Sequence, residues 1–473
     1  MRKIEFWVGK GTVRGMAKQI RLNAFEMTSA MLNSHGLWKH PDNVRTRRYK
    51  DLDYYTELAQ LLERGKFDAV FFADVIGIYD VYKASRDPAI REGVQVPLND
   101  PAFAIPIMAQ ATKHLSFALT VSTTYDHPYA HARRMSTLDH LTKGRLAWNV
   151  VTSYLPSAAR NFGHDEMMKH DDRYELADEF LEVAYKLWEA SWEDGAIVND
   201  VRRNLFADPS KVHEINHVGK FFRVPGPHLS EPSPQRTPVI YQAGSSPKGR
   251  DFAAKHAECL FVGGPTPEAT RSSIQDIKNR AERYGRDPEE IKAFTFLNVV
   301  VAETEEEAEL KFAEYSRLWS GEAAKAQYGG SSGYDLSRYT DLDAIFEYKH
   351  TEHGQSRAAS LTKDAPKKLT VREVLGSFDR LSRKFAIVGD PRQVADGIQS
   401  YFEATGVDGF NLAHFVTPGS LVDFVELVVP ELQRRGIYKT DYEEGTFREK
   451  LFGPGKRYLP DHHPGAKVRT FPV

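Results

Sequence analysis

The chain has 473 residues, more than one average domain yet within reach of a single barrel with insertions, so one or two domains are allowed. Its 63 basic and 65 acidic residues leave a net charge of −2 and form no run that would mark a nucleic-acid or lipid surface; small molecules or other subunits remain as partners. The single cysteine, Cys259 in the apolar run CLFVGG, excludes an internal disulfide framework and thiolate metal clusters and is expected to be buried and inert.

The N-terminal stretch MRKIEFWVGKGTVRGMAKQI is basic without an apolar h-region or a small-residue cleavage site, and no segment holds 18 consecutive apolar residues, so a soluble cytoplasmic protein is expected. Short apolar runs then follow: IRLNAF from 20, AVFFAD from 69, LSFALTVSTT from 115, LAWNVVTS from 146, PVIYQAG from 238, CLFVGG from 259, FTFLNVVVA from 294 and GFNLAHF from 409. Between most of them lie helical patterns with apolar residues at three- and four-residue spacing, such as DLDYYTELAQLLERGK, HARRMSTLDHLTKG and PEATRSSIQDIKNRAERYG. Strand-helix alternation gives parallel strands with right-handed crossovers, and eight units predict an α/β fold, a closed (β/α)8 barrel. An open doubly wound sheet would give a similar string, although no G-x-G-x-x-G follows the first strand. Residues 194–236, rich in Asp, Asn and Pro, and residues 319–385, containing YGGSSGYDLSRY, do not fit the alternation and read as insertions.

Barrel chemistry sits where the strands end. Those positions are Asn23 to Phe25, Ala73 and Asp74, Ser122 to Thr124, Thr152 and Ser153, Gly244 to Ser246, Gly263 and Gly264, and His414. The set is polar and poor in acids. It offers no carboxylate pair suited to glycoside hydrolysis, no G-x-S-x-G elbow and no H-E-x-x-H. In DHPYAH, His127 and His131 would share a helical face as zinc ligands do, with Asp74 or His40 completing a site. Pro128 fits a first helical position with Asp126 or His127 as cap, and no metal is expected.

At PVIYQAGSSPKGR a buried strand stops at Gly244, and Ser245 and Ser246 lead into a helix. Unpartnered N–H groups in a first helical turn, with small side chains around them, admit a phosphate; an ordinary serine N-cap is the commoner use. With nucleophile, metal and acid pair absent, a borrowed cofactor is the economical source of chemistry. A flavin mononucleotide would need such an anchor, with Asp74, Asn149 and Ser153 as a hydrogen-bonding wall and Trp148, Phe25 and Phe415 as apolar lining. A helix-capping aspartate and a core tryptophan are the plainer uses of those residue types.

NAFEM from 23, HGLWKHP from 35, ERGKFDAVFFADVIGIYDVY from 63, HARRMSTLDHLTKGRLAWNVVTS from 131, HDDRYELADEFLEVAYKLWE from 170, EPSPQRTPVIYQAGSSPKGR from 231 and VDGFNLAHFVTPGSLVDFVELVVPELQRRG from 407 together resemble one family. It is that of the bacterial-luciferase-like flavin monooxygenases, in the group with nitrilotriacetate, dibenzothiophene-sulfone, dimethyl-sulfide and long-chain alkane monooxygenases. The resemblance implies one TIM-barrel domain over 1–473, with insertions at about 194–236 and 319–385. It also implies reduced FMN delivered by a separate NAD(P)H-dependent flavin reductase, O2 added to give a flavin C4a-(hydro)peroxide, and oxygen transfer to a small organic substrate, as in xenobiotic degradation. A homo-oligomer, dimer or tetramer, is expected. The family's flavin ligands carry over to Asp74, Ser153, Tyr174 and the turn Ala243, Gly244, Ser245 and Ser246, with Asn149 and His170 added; its catalytic positions carry over to Tyr79, Gln95 and Tyr154. Tyr79 and Tyr154 would donate hydrogen bonds to the peroxide or the substrate oxygen, or pack the wall. The second insertion would close as a lid, the glycines of YGGSSG giving it freedom. Where the alkane and dimethyl-sulfide members have Cys and His after the first strand this chain has Ser29 and Leu32, and the alkane members' His after the fourth strand is Tyr154. Neither substrate is therefore expected. A metal-dependent TIM-barrel hydrolase and a non-catalytic flavin-binding protein stay as alternatives.

Overall fold

In the computed structural model residues 18–383 and 386–471 are described; the N-terminal stretch through Ala17 and the last two residues of the second insertion lie outside them. Eight strands form the barrel: β1 Arg21–Glu26, β2 Ala69–Phe72, β3 Ser116–Ser122, β4 Leu146–Val151, β5 Val239–Gln242, β6 Cys259–Phe261, β7 Lys292–Val301 and β8 Gly409–Ala413. Each pairs in parallel with the next, and β8 returns to β1 with Gly409 opposite Arg21 and Leu412 opposite Ala24. Closure rules out the open doubly wound sheet. At this seam a Cβ on Gly409 would lie 2.2 Å from the Arg21 carbonyl oxygen, so only glycine lets the two strands meet.

The helices used below are α1 Leu52–Arg64, α2 Pro128–Thr142, α3 His170–Glu189, α4 Pro247–His256, α5 Pro267–Arg283, α6 Glu305–Leu318, α7 Gly321–Ser332 and α8 Pro391–Thr405. Strand alternation divides the core in two. Phe25, Phe71, Ala118, Ala147, Tyr241 and Phe294 fill the barrel, whereas Leu22, Phe117, Trp148 and Ile240 face the helices, among them α3 with Phe180 and Leu181. Among the described residues no helix is long and apolar enough to cross a membrane.

The segment after β8 seals the end of the barrel where the strands begin. Tyr438 donates to the carbonyls of Gly65 and Lys66 at 3.0 and 2.6 Å, Tyr442 to that of Phe67 at 2.7 Å, and Lys450 to that of His114 at 2.9 Å. Arg448, 1% exposed, binds the Thr237 carbonyl at 2.9 Å and pairs with Glu258 at 2.6 Å. Phe447 stacks under Tyr241 at 6.4 Å.

The first insertion is two antiparallel hairpins, Ile197–Asp200 with Leu205–Ala207 and His217–Val218 with Arg223–Val224. The second is mostly helical and has its own core: Ala323, Tyr328, Tyr334, Phe346, Ala358 and Val374 pack with Tyr79 and Tyr82 after β2 and Leu155 after β4. Its glycines do not form a hinge. Gly329 and Gly330 lie inside α7, Gly333 ends that helix with φ 81°, and a Cβ on Gly330 would sit 2.1 Å from Cδ1 of Tyr79. The glycines remove bulk where the insertion rests on Tyr79.

Candidate active site

Above β5 the chain turns through Ala243, Gly244, Ser245 and Ser246 into α4. Ser246 is the N-cap, its Oγ accepting from the Gly249 N–H at 3.0 Å, with Pro247 in the first turn. The Gly244 N–H donates to Gln242 Oε1 at 2.7 Å. A Cβ on Gly244 would stand 2.4 Å from Gln242 Nε2 and 2.6 Å from the Tyr174 hydroxyl, so strand exit and tyrosine are in contact there. Tyr174, in the first turns of α3, sets its hydroxyl beside Ser246, Gln242 and Thr152, and burial raises its pKa. His170 opens α3, with Nε2 3.3 Å from Ser246 Oγ and Nδ1 2.7 Å from Asp171. Its N–H donates to Glu352 of the second insertion at 2.5 Å. Ala243 and Ser245 are exposed at the rim. All six anchor residues drawn from the sequence therefore meet at one helix N-terminus lined by small side chains, which suits an anion.

The wall residues end neighbouring strands. Asn149, buried inside the barrel, donates to Thr120 Oγ1 at 2.9 Å, while its Oδ1 is buried without a partner. Ser153 holds φ 57°, a conformation costly for a residue with a side chain, and donates to Ser122 Oγ at 2.8 Å. Asp74 is half-buried; burial, then the charge of Asp100, pushes its carboxyl up to about 7. An unsatisfied acceptor, a hydroxyl and a carboxyl titrating near neutrality match an aromatic edge that carries both donors and acceptors. With the Gly244 cradle, these residues fit a flavin mononucleotide. Two expected lining residues do not belong to this space. Trp148 adjoins Asn149 on β4 and must face the other way; it packs on His131 at 4.1 Å between barrel and helices. Phe415 packs with Leu37, Val300 and Tyr315 outside the barrel. Phe25 does lie inside it.

A second polar group lies under the second insertion. Tyr79 donates to Gln95 Oε1 at 2.7 Å and its oxygen is 3.0 Å from that of Tyr154. Gln95 Nε2 donates to Asn33 Oδ1 at 3.0 Å, as does Gln327 Nε2 at 2.7 Å. Gln95 holds φ 51°. Burial raises both phenol pKa values, so the five side chains are neutral. Tyr79 has one proton. While Gln95 takes it, the Tyr154 hydroxyl must donate to Tyr79, and a ligand oxygen competes for that same proton. Asn33 and Gln327 were missed by sequence reasoning. Asn33 directly follows Leu32, which instead packs in the barrel with Phe25 and Phe71, and Ser29 bridges Leu98 through its backbone. Gln327 carries no signal of its own within an insertion.

The histidines weighed as metal ligands serve the fold. His127 caps α2, accepting from the Tyr129 N–H at 3.3 Å, while His131 is buried against Trp148, Phe180 and Trp188 and burial lowers its pKa to about 3. His40 accepts from the Asp42 N–H at 3.2 Å. His414 is 2.6 Å from Glu26, which also pairs with Arg45 at 2.5 Å. Burial alone would raise Glu26, but the charges of Arg45 and His414 outweigh it and hold the carboxyl at about 2. Among the described residues no group of three or more His, Cys, Asp or Glu is placed to hold a metal ion. Cys259 is buried, with its thiol pKa pushed well up by burial.

A family model described as luciferase-like monooxygenase matches residues 27–409. The chain is 57% identical to the long-chain alkane monooxygenase of Geobacillus thermodenitrificans (strain NG80-2), over 96% of this chain and 99% of that protein. It is 47% identical to the dimethyl-sulfide monooxygenase of Hyphomicrobium sulfonivorans, over 96% and 94%. Among solved structures, a riboflavin lyase with modified FMN and its substrate riboflavin superposes with a TM-score of 0.89 at 39% identity, covering 96% of this chain and 100% of that one.

Proposed function

The chain belongs to the luciferase-like monooxygenase family, and on that premise we propose that it is the oxygenating component of a two-component system, using reduced FMN from a separate NAD(P)H-dependent reductase and O2 to oxygenate a small organic substrate. The observation that carries the FMN reading is the junction where Gly244, Ser246, His170 and Tyr174 converge at the start of α4. Ser245, Ser246 and the first N–H groups of α4 hold the phosphate. Asp74, Asn149 and Ser153 meet the ring edge, Asn149 through its unpartnered Oδ1. When bound, reduced FMN supplies the electrons that activate O2.

The protein's own work is to orient and to keep water out. The core of the second insertion, closed over Tyr79 and Leu155, covers the substrate side. The Tyr154 hydroxyl donates a hydrogen bond to the acceptor's oxygen or to Tyr79, and Gln95, fixed by Asn33, orients Tyr79. Tyr154, which stands where the alkane members have His, disfavours a long alkane, because an apolar chain offers its hydroxyl no partner beyond Tyr79. A compact acceptor bearing polar atoms suits it better.

The test is turnover with a generic flavin reductase, FMN and NADH, scoring hexadecane against sulfur, nitrogen and aromatic compounds by mass spectrometry. Product from the polar panel is expected. Failure to bind FMN or to consume O2 beyond the reductase background overturns the enzyme reading. Efficient conversion of hexadecane to hexadecanol, with nothing from the panel, overturns the substrate reading.

A further inference from the structure

Beside the helix that carries Gln327 of the neutral cluster with Tyr79, Tyr154, Gln95 and Asn33 lies a cation without an ion pair among the described residues. Arg357 lies on the short helix Gln355–Ser360 of the second insertion. Its guanidinium carbon is 5.8 Å from the ring centroid of Tyr328, the residue next to Gln327 on α7. No carboxylate among the described residues lies within ion-pair distance of it. The acids nearby on the insertion and its supporting loops have other partners: Glu352 receives the His170 N–H, Asp80 pairs with Arg160, and Glu322 binds Lys83 at 2.7 Å and Tyr82 at 3.0 Å. Ala358, the next residue, packs in one core with Tyr79 and Tyr328, and Tyr154 rests against that core.

An arginine held beside an aromatic face without a counter-ion, near a cluster of neutral amides and phenols, lacks its electrostatic complement. We propose that Arg357 positions the acceptor by pairing with an anionic group on it, a carboxylate or sulfonate, while the amides and phenols orient the remainder. This rests on the oxygenase reading and adds to it the class of acceptor, an organic anion. Because the guanidinium is exposed, solvent and salt screen the attraction, and the expected preference is moderate.

Calorimetric titration of the FMN-loaded protein with benzoate against benzamide, and with propionate against propionamide, reads the preference directly. Each acid should bind about tenfold more tightly than its amide, with the difference lost in Arg357→Gln and kept in Arg357→Lys. A merely structural arginine would not yield a charge-dependent ratio that lysine restores. Equal affinities within both pairs, or a preference that survives Arg357→Gln, overturns the inference. FMN binding is measured separately by fluorescence quenching. No acid preference in the unaltered protein with FMN bound sinks the role of Arg357 alone, whereas absence of FMN binding sinks the oxygenase reading and this inference with it.

Discussion

The two ends of the barrel treat polar groups in opposite ways. Where the strands begin, charge is matched: Asp68 pairs with Arg21 at 3.0 Å and Lys439 at 2.7 Å, Arg448 with Glu258, and Arg469 with Glu189 at 2.9 Å. Where the strands end, Asn149 keeps a buried oxygen unpartnered and Asp74 sits half-buried without a cation among the described residues, and Ser153 and Gln95 hold left-handed backbone. The same eight strands thus carry a floor where charges are paired and a mouth where, beside the paired Glu26, Arg45 and His414, the Asn149 oxygen and the Asp74 carboxyl stay open. The floor holds the fold, and the mouth keeps free energy in reserve for a ligand.

Breaking the floor should have the largest effect. Arg448→Met strands the buried Glu258 carboxylate, and a broken buried pair costs about 3–5 kcal/mol. Urea unfolding should show that loss, with FMN affinity of the folded fraction unchanged, and adding Glu258→Gln should restore most of it. At the mouth, Gly330→Ala drives a methyl into the Tyr79 ring, an overpacking cost of about 1–3 kcal/mol. It should lower product yield per NADH oxidised while FMN still binds. Replacing Ser245 and Ser246 together by Asp sets negative charge at the anion site and should weaken FMN by at least about tenfold, or about 1.4 kcal/mol, by fluorescence titration. Unchanged affinity would remove the phosphate assignment.

The smallest effect concerns Asp74. Its folded pKa of about 7 lies above the ordinary 3.8, so between these values the native state binds the extra proton and stability falls as pH rises. Asp74→Asn removes that loss. The variant should gain about 1 kcal/mol over the parent at pH 8, after discounting for partial exposure, and nothing at pH 4. A gain of equal size at both pH values would show that Asp74 is not the titrating group.

All eight barrel strands were legible because each is a short apolar run ending in small or polar residues; their number suggested closure, which the pairing of β8 with β1 decides. The strand-to-helix turn at Gly244 to Ser246, which the proposed function uses as a phosphate anchor, was legible because strand, glycine and cap are local. What failed needs the third dimension. Trp148 and Asn149 are neighbours in sequence and look equally placed, yet the two-residue period sends them to opposite sides. Gly329 and Gly330 read as freedom, but in α7 they make room for Tyr79, a contact set by a loop some 250 residues earlier in the chain. Gln327 joins Asn33 across 294 residues, a pairing that no periodicity encodes.

The seam between β1 and β8 also sets a clock. Asn23 and Asn411, hydrogen-bonded across it at 2.9 Å, are 388 residues apart, and at roughly 5–20 residues per second a ribosome needs roughly 20–80 s to travel between them. Throughout that interval β1 has an open edge, and the C-terminal segment that plugs the floor follows later still. A half-made chain therefore carries unpaired strand edges and apolar surface that the finished barrel conceals, so its yield in a cell depends on what shelters the nascent chain as well as on the stability of the completed fold.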